Sequence, residues 1–214
     1  MSQISFSIFN IIETGWCKFK KQPFFWIAIT VLNLLVGSIG SSFDIDVDTF
    51  ETSINPIGVA ASLLSLYISA AITLMAIKYM RGELISFHHL TAISINKFVH
   101  YFLATVVSTI FIIIGFILFI LPGIYIMSRL LFVRYLVVDK NLNFDEAIKQ
   151  SWKMTNDNVF TLYLFLCMLA LILLIGFILF VVGLLIAIPI ITLASAELYL
   201  LFSKNNSSSI IDVE

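Results

Sequence analysis

Three charged residues stand where the surrounding sequence is otherwise apolar: Arg129 and Arg134 in LPGIYIMSRLLFVRYLVVDK (121–140), and Glu197 in ITLASAELYLL (191–201). An arginine at the centre of a membrane helix costs roughly 2.5 to 3.5 kcal/mol on insertion scales, so residues of this kind have partners and a purpose. A guanidinium offers a planar fork of donors that matches phosphate or carboxylate bidentately, which makes oxyanion binding the chemistry to consider. Arg134 lies about five residues, ~8 Å, inside Asp139, and Glu197 about seven residues, ~10 Å, inside Lys204. Equal depth predicts an ion pair between them. Such a pair would lock the fourth apolar segment to the sixth, because removing one partner of a buried pair typically costs about 3 to 5 kcal/mol; a binding or transport role is the alternative. Arg129 lies about ten residues inside Asp139 with no second acidic residue in any apolar segment to meet it. It must find free carbonyls near Pro122 or Pro189, a Ser or Asn side chain, water, or an anionic ligand. That makes it the leading candidate for a ligand-contacting residue.

The remaining constellations carry less chemistry. Asp44, Asp46, Asp48 and Glu51 resemble the start of a calcium loop, but Thr49 stands where such a loop needs glycine, so an acidic solvated loop is expected. His88 and His89 are adjacent, hence about 100° apart on a helix, with no third ligand near them in sequence. There is no HExxH, no Gly-x-Ser-x-Gly, no phosphate loop and no intramembrane pair of aspartates. Neither catalysis, nor a cofactor, nor a metal site is expected.

The elements that position the charges follow from composition. Of 214 residues 60% are hydrophobic and 12% charged, against about 25% charged in soluble domains, so the chain reads as an integral membrane protein. The formal net charge of -1 gives no reason to expect nucleic acid as a partner; membrane lipids, protein partners or a second copy of the chain are the expected company. Six stretches are long enough to cross ~30 Å of hydrocarbon: approximately 24–41, 57–79, 98–120, 122–139, 159–180 and 182–203. The third and fourth meet at a turn formed by Pro122 and Gly123, and the fifth and sixth meet near Gly183.

Lys18, Lys20, Lys21, Lys78, Arg81, Lys97, Lys140, Lys149, Lys153 and Lys204 all fall on one side of this arrangement, whereas the acidic 44–51 loop falls on the other. The positive-inside rule then places both termini in the cytoplasm, and the chain in the cytoplasmic, or inner, membrane of a bacterium. Ile4, Ile8, Ile11, Ile12, Gly15 and Phe19 share one face of an amphipathic helix expected to lie on the membrane. Trp16, Trp26 and Trp152 are expected as interfacial anchors. An interfacial helix followed by a two-span hairpin recurs over 4–80, 84–139 and 143–203, and GFILF occurs at both Gly115 and Gly176, which predicts a threefold internal repeat. The expected organisation is therefore an all-α, six-span membrane domain over 1–203 with a disordered cytoplasmic tail over 204–214.

Pro122-Gly123, Arg129, Asp139, Glu146-Ala147, Ser151 and Thr155-Asn156-Asp157-Asn158, with Pro189, Ala196, Glu197 and Tyr199 towards the end, resemble the "PG…R…A…S" core of a broad group of six-span bacterial membrane proteins. That group includes uncharacterised integral membrane proteins and the membrane domain attached to some glycerophosphodiester phosphodiesterases. The likeness covers about 85–203 and implies the fold. It implies no activity, and with the sequence ending at Glu214 no catalytic barrel is expected. Two functional readings follow: an accessory or structural membrane protein that organises partners or lipids, or a small carrier or lipid- and anion-binding protein with its site at Arg129, and with Arg134 and Glu197 as gating groups.

Overall fold

The computed structural model describes residues 6–39, 43–45 and 52–211. Nine helices carry the described chain: α1 (Ile8–Lys21), α2 (Pro23–Gly37), α3 (Pro56–Met80), α4 (Ile95–Leu118), α5 (Ile120–Arg129), α6 (Val133–Lys140), α7 (Phe144–Thr155), α8 (Val159–Ile178) and α9 (Phe180–Ile211). Between α2 and α3, Phe43–Ile45 pairs antiparallel with Thr52–Ile54. Asp46, Asp48 and Glu51 of the acidic loop lie outside the described residues.

Five stretches are long and apolar enough to cross a membrane: Pro56–Met80, Ile95–Leu118, Ile120–Lys140, Phe144–Ile178 and Val182–Asn205. This is a multi-pass membrane protein. The first expected span departs from its boundaries, since α2 has 15 residues, about 22 Å, and ends at Gly37 rather than near residue 41. Pro23 opens it, where the missing N–H costs nothing. Asn55 caps α3 by accepting from the amides of Ile57 and Gly58 at 3.1 and 3.2 Å, and Pro56 again takes the first helical position.

Both hairpins turn slightly away from the expected glycines. The α4–α5 turn is the extended residue Phe119, so Pro122 and Gly123 sit inside the first turn of α5 instead of forming the bend. Gly123 serves packing: a Cβ there would meet the Phe116 ring at 2.6 Å, and one on Gly115 would meet Gly123 Cα at 2.9 Å. The α8–α9 turn uses Phe180 at φ 60°, and Gly176 and Gly183 pack on each other in the same manner. Small residues facing one another let two membrane helices approach closely.

The core lies where the C-terminal half of α3 meets α6 and α9. Ala70, Ala71, Met75, Ala76 and Ile77 of α3 are fully buried, as are Leu136 to Val138 of α6 and Leu193, Ala194 and Ala196 of α9. The apolar ends of α4 and α8 are exposed, Ile117 at 78% and Phe177 at 68%, as lipid-facing surface requires. Helix α1 buries Ile11, Gly15 and Phe19, the face its periodicity marks, but the surface it meets is α9: a Cβ on Gly15 would come within 3.0 Å of the Ala194 amide. Trp26 is not an interfacial anchor. It is buried against Tyr79 at 5.7 Å between ring centroids. The expected middle interfacial helix is a single 3-10 turn at Phe87–Thr91, and the backbone of α9 runs on past residue 204, where a disordered tail is expected.

Candidate functional site

The stretch Ile120–Lys140 is interrupted. Helix α5 ends at Arg129, residues 130–132 form a turn, and α6 begins at Val133, which leaves backbone groups without helical partners inside apolar surroundings. Ser151 of α7 supplies them. Its hydroxyl donates to the Arg129 carbonyl at 2.8 Å and accepts from the Phe132 amide at 3.3 Å, and Ala147, one turn earlier, is small enough to keep α7 close.

Arg129 is 3% exposed and reaches towards the C-terminal end of the same helix. Its Nη2 donates to Asn156 Oδ1 at 3.0 Å, its Nη1 reaches Thr155 Oγ1 at 3.5 Å, and its guanidinium lies 4.6 Å from the Trp152 ring centroid and 5.9 Å from that of Tyr125. Arg129 therefore holds α5 to α7 through Nη1 and Nη2, while its Nε is left unpaired.

A second polar cluster ties three helices at one end of the bundle. Asp139 of α6 receives Nη1 and Nη2 of Arg81, which follows α3, at 2.7 Å each, and the hydroxyl of Tyr199 of α9, also at 2.7 Å. The hydrogen bond to Asp139 holds the Arg81 guanidinium above its ordinary pKa.

The expected ion pair between Arg134 and Glu197 does not form. Glu197 faces α1, where Lys18 is the cation acting on it. Arg134 turns instead into a hollow of about 270 Å³ walled by α2, α3, α8 and α9. Polar side chains from four elements line it, among them Asn33, Ser69, Thr73, Tyr135, Thr192 and Ser195. Thr73 and Thr192 donate to carbonyls one turn earlier in their own helices, and Asn33 accepts from Ser65, so most of these groups are satisfied within the protein. Two groups are exceptions: Nε1 of Trp26 is buried without a hydrogen-bond partner, and Arg134 is exposed and makes no ion pair or hydrogen bond among the described residues. Pro189, which α9 accommodates within its length, lines the same space. Arg134, Met127 and Leu131 also wall a second hollow of about 140 Å³, whose far side is the Thr105, Ser108 and Thr109 face of α4. The Ser108 hydroxyl is buried there without a partner.

Residues 84–204, from the segment before α4 to the body of α9, match the family described as the membrane domain of glycerophosphoryl diester phosphodiesterase. The chain belongs to this family. No curated protein and no solved structure matches it. The family segment contains the whole Arg129–Ser151 junction together with Arg134, Asp139, Glu197 and Tyr199, which agrees with the resemblance of the 85–203 region. Arg81, which completes the Asp139 cluster, and the α2 and α3 walls of the hollow precede it.

Of the residues singled out in the sequence, the structure brings Arg129, Ser151, Thr155 and Asn156 together and separates Arg134 from Glu197. Sequence reasoning missed Arg81 as a partner of Asp139: the helix of Asp139 already carries Arg134 and Lys140, and nothing local points to a cation 58 positions away.

Proposed function

We propose that the protein is a non-catalytic membrane domain that holds an amphiphile by an anionic group on Arg134, and acts through that bound molecule as an accessory, lipid-organising component. The observation that carries this reading is Arg134 itself: a cation of a membrane protein that lines a partly open, largely apolar hollow with a few polar groups, and lacks any acidic partner among the described residues. A phosphate or carboxylate entering the hollow would remove the cost of that lone charge and accept from its planar fork. The second reading, a small carrier, draws on the wall that Arg134, Met127 and Leu131 share between the two hollows, because a cation at a partition is placed to serve both sides.

In the same proposal the chain makes six crossings of a bacterial cytoplasmic membrane with both termini inside. The basic ends support that orientation, and α2 then spans as a short first helix that local thinning of the bilayer accommodates. The Gly115–Gly123 and Gly176–Gly183 contacts support a repeat of the last two hairpins.

A thermal unfolding series on detergent-purified protein tests the proposal. A ligand that binds the folded state alone raises the unfolding midpoint. Short-chain phosphatidylglycerol is expected to raise it for the parent and to leave Arg134→Gln unmoved; equal shifts in both would contradict the reading.

A further inference from the structure

A smaller hollow, of about 170 Å³, lies apart from Arg134, between the start of α4 and the link from α6 to α7. Asn96, Lys97 and His100 form one wall, and Asn141 and Asn143 are on the other. No carboxylate lines it. Of the acids beside it in sequence, Asp139 is held by Arg81 and Tyr199, Asp145 pairs with Lys149 at 3.7 Å, and Glu146 accepts from the Asn143 amide at 3.2 Å. Lys97 is half-buried and makes no ion pair among the described residues. Nδ1 of His100 is shut off from solvent and has no hydrogen-bond partner. Nε2 of the same ring also makes no hydrogen bond among the described residues but is open to solvent, so it is the ring nitrogen that a group in the hollow can meet.

The groups around this space can donate: an ammonium, side-chain amides and, in the Nε2–H tautomer, an imidazole. Donors without an acid select an anion. They come from two walls, one on α4 and one on the 141–143 link, an arrangement that can address the several acceptor oxygens of a phosphate group. The hollow opens at the end of the bundle that carries Arg81 and Lys140, where lipid headgroups meet water.

We propose that Lys97 and His100, with Asn96 and the two asparagines opposite, form a binding site for a phosphate group at the membrane surface, presented either by a phospholipid headgroup or by a soluble phosphate. This proposal is independent of the reading of Arg134.

The full chain in detergent, labelled with ¹⁵N in its three histidines, tests it. The His100 ring signals, assigned by their loss in His100→Gln, are followed during separate titrations with inorganic phosphate and with dihexanoyl phosphatidylglycerol. A saturable shift of His100, with His88 and His89 unmoved, is expected in at least one titration. Saturation by inorganic phosphate assigns a soluble ligand, and saturation by the lipid alone assigns a headgroup. Lys97→Gln is expected to weaken binding about tenfold, the loss of a charge-assisted contact, whereas Lys97→Arg retains it. Asn96→Ala provides the same comparison if Lys97→Gln does not fold. The Arg134→Gln protein is expected to show the parent's shift, which separates this site from the hollow. No saturable shift with either probe, an equal response of all three histidines, or unchanged affinity in Lys97→Gln and Asn96→Ala would overturn the proposal.

Discussion

Arg81 and Asp139, 58 residues apart in sequence, meet through two parallel contacts of 2.7 Å, one to each carboxylate oxygen. The Asp139 side chain is 6% exposed and that of Arg81 41%, so the carboxylate is buried while its cation closes it from the outside. Tyr199 donates to the same carboxylate from α9. Three helices that are distant in the chain are thus joined at one charge.

Removing Arg81 leaves that charge buried with only the Tyr199 hydroxyl. Arg81→Ala is expected to cost about 2 to 3 kcal/mol in reversible unfolding, less than the 3 to 5 typical of a fully buried pair because Arg81 is partly solvated. Adding Asp139→Asn to Arg81→Ala is expected to recover part of the loss, since the orphaned charge disappears. Additive losses would show that the two residues are not coupled.

Ser151 serves both ends of the break between α5 and α6. Ser151→Ala leaves the Arg129 carbonyl and the Phe132 amide unsatisfied away from water, an expected cost of about 1 to 3 kcal/mol. Arg129→Lys is expected to destabilise as well, because one ammonium cannot reach Thr155 and Asn156 while lying flat on Trp152. Chemical unfolding monitored by circular dichroism reads both. A Ser151→Ala protein as stable as the parent would remove the hydroxyl from this account.

The hairpin glycines make a third test. A methyl at Gly123 would enter the Phe116 ring, so Gly123→Ala is expected to cost about 1 to 3 kcal/mol through overpacking, and Gly183→Ala a similar amount against Gly176. Gly82, with nothing within 4 Å of an added Cβ but a φ of +89°, is the control in which conformation alone is strained. If Gly123→Ala and Gly183→Ala unfold at the parent's midpoint, the hairpins do not depend on close approach.

Much of the scaffold was readable because its signals are local. Apolar runs gave the long spans, and the period of Ile11, Gly15 and Phe19 marked the buried face of α1. The site was readable only in its residue types. Depth arithmetic treats 121–140 as one straight helix, but the turn at 130–132 resets the direction in which Arg134 leaves the backbone. It also had no means of knowing that α1 packs on α9 and brings Lys18 to Glu197, since an amphipathic helix reads the same whether its apolar face meets lipid or protein. Arg81 counted towards orientation because a basic residue at a helix end carries no sign of a partner 58 positions away. The result is an exchange of partners: Arg129, without an acid in sequence, is held by Thr155, Asn156 and Trp152 with Nε alone unpaired, and Arg134, which had an expected acid, is left open.

Native mass spectrometry of the protein extracted from its membrane in mild detergent tests the central claim most directly. The parent and Arg129→Lys, once shown to be folded, are expected to retain a bound anionic amphiphile, and Arg134→Gln to lose it while neutral lipids remain unchanged. Retention of the same anionic species by Arg134→Gln at the parent's occupancy would contradict the assignment of the hollow as a binding site.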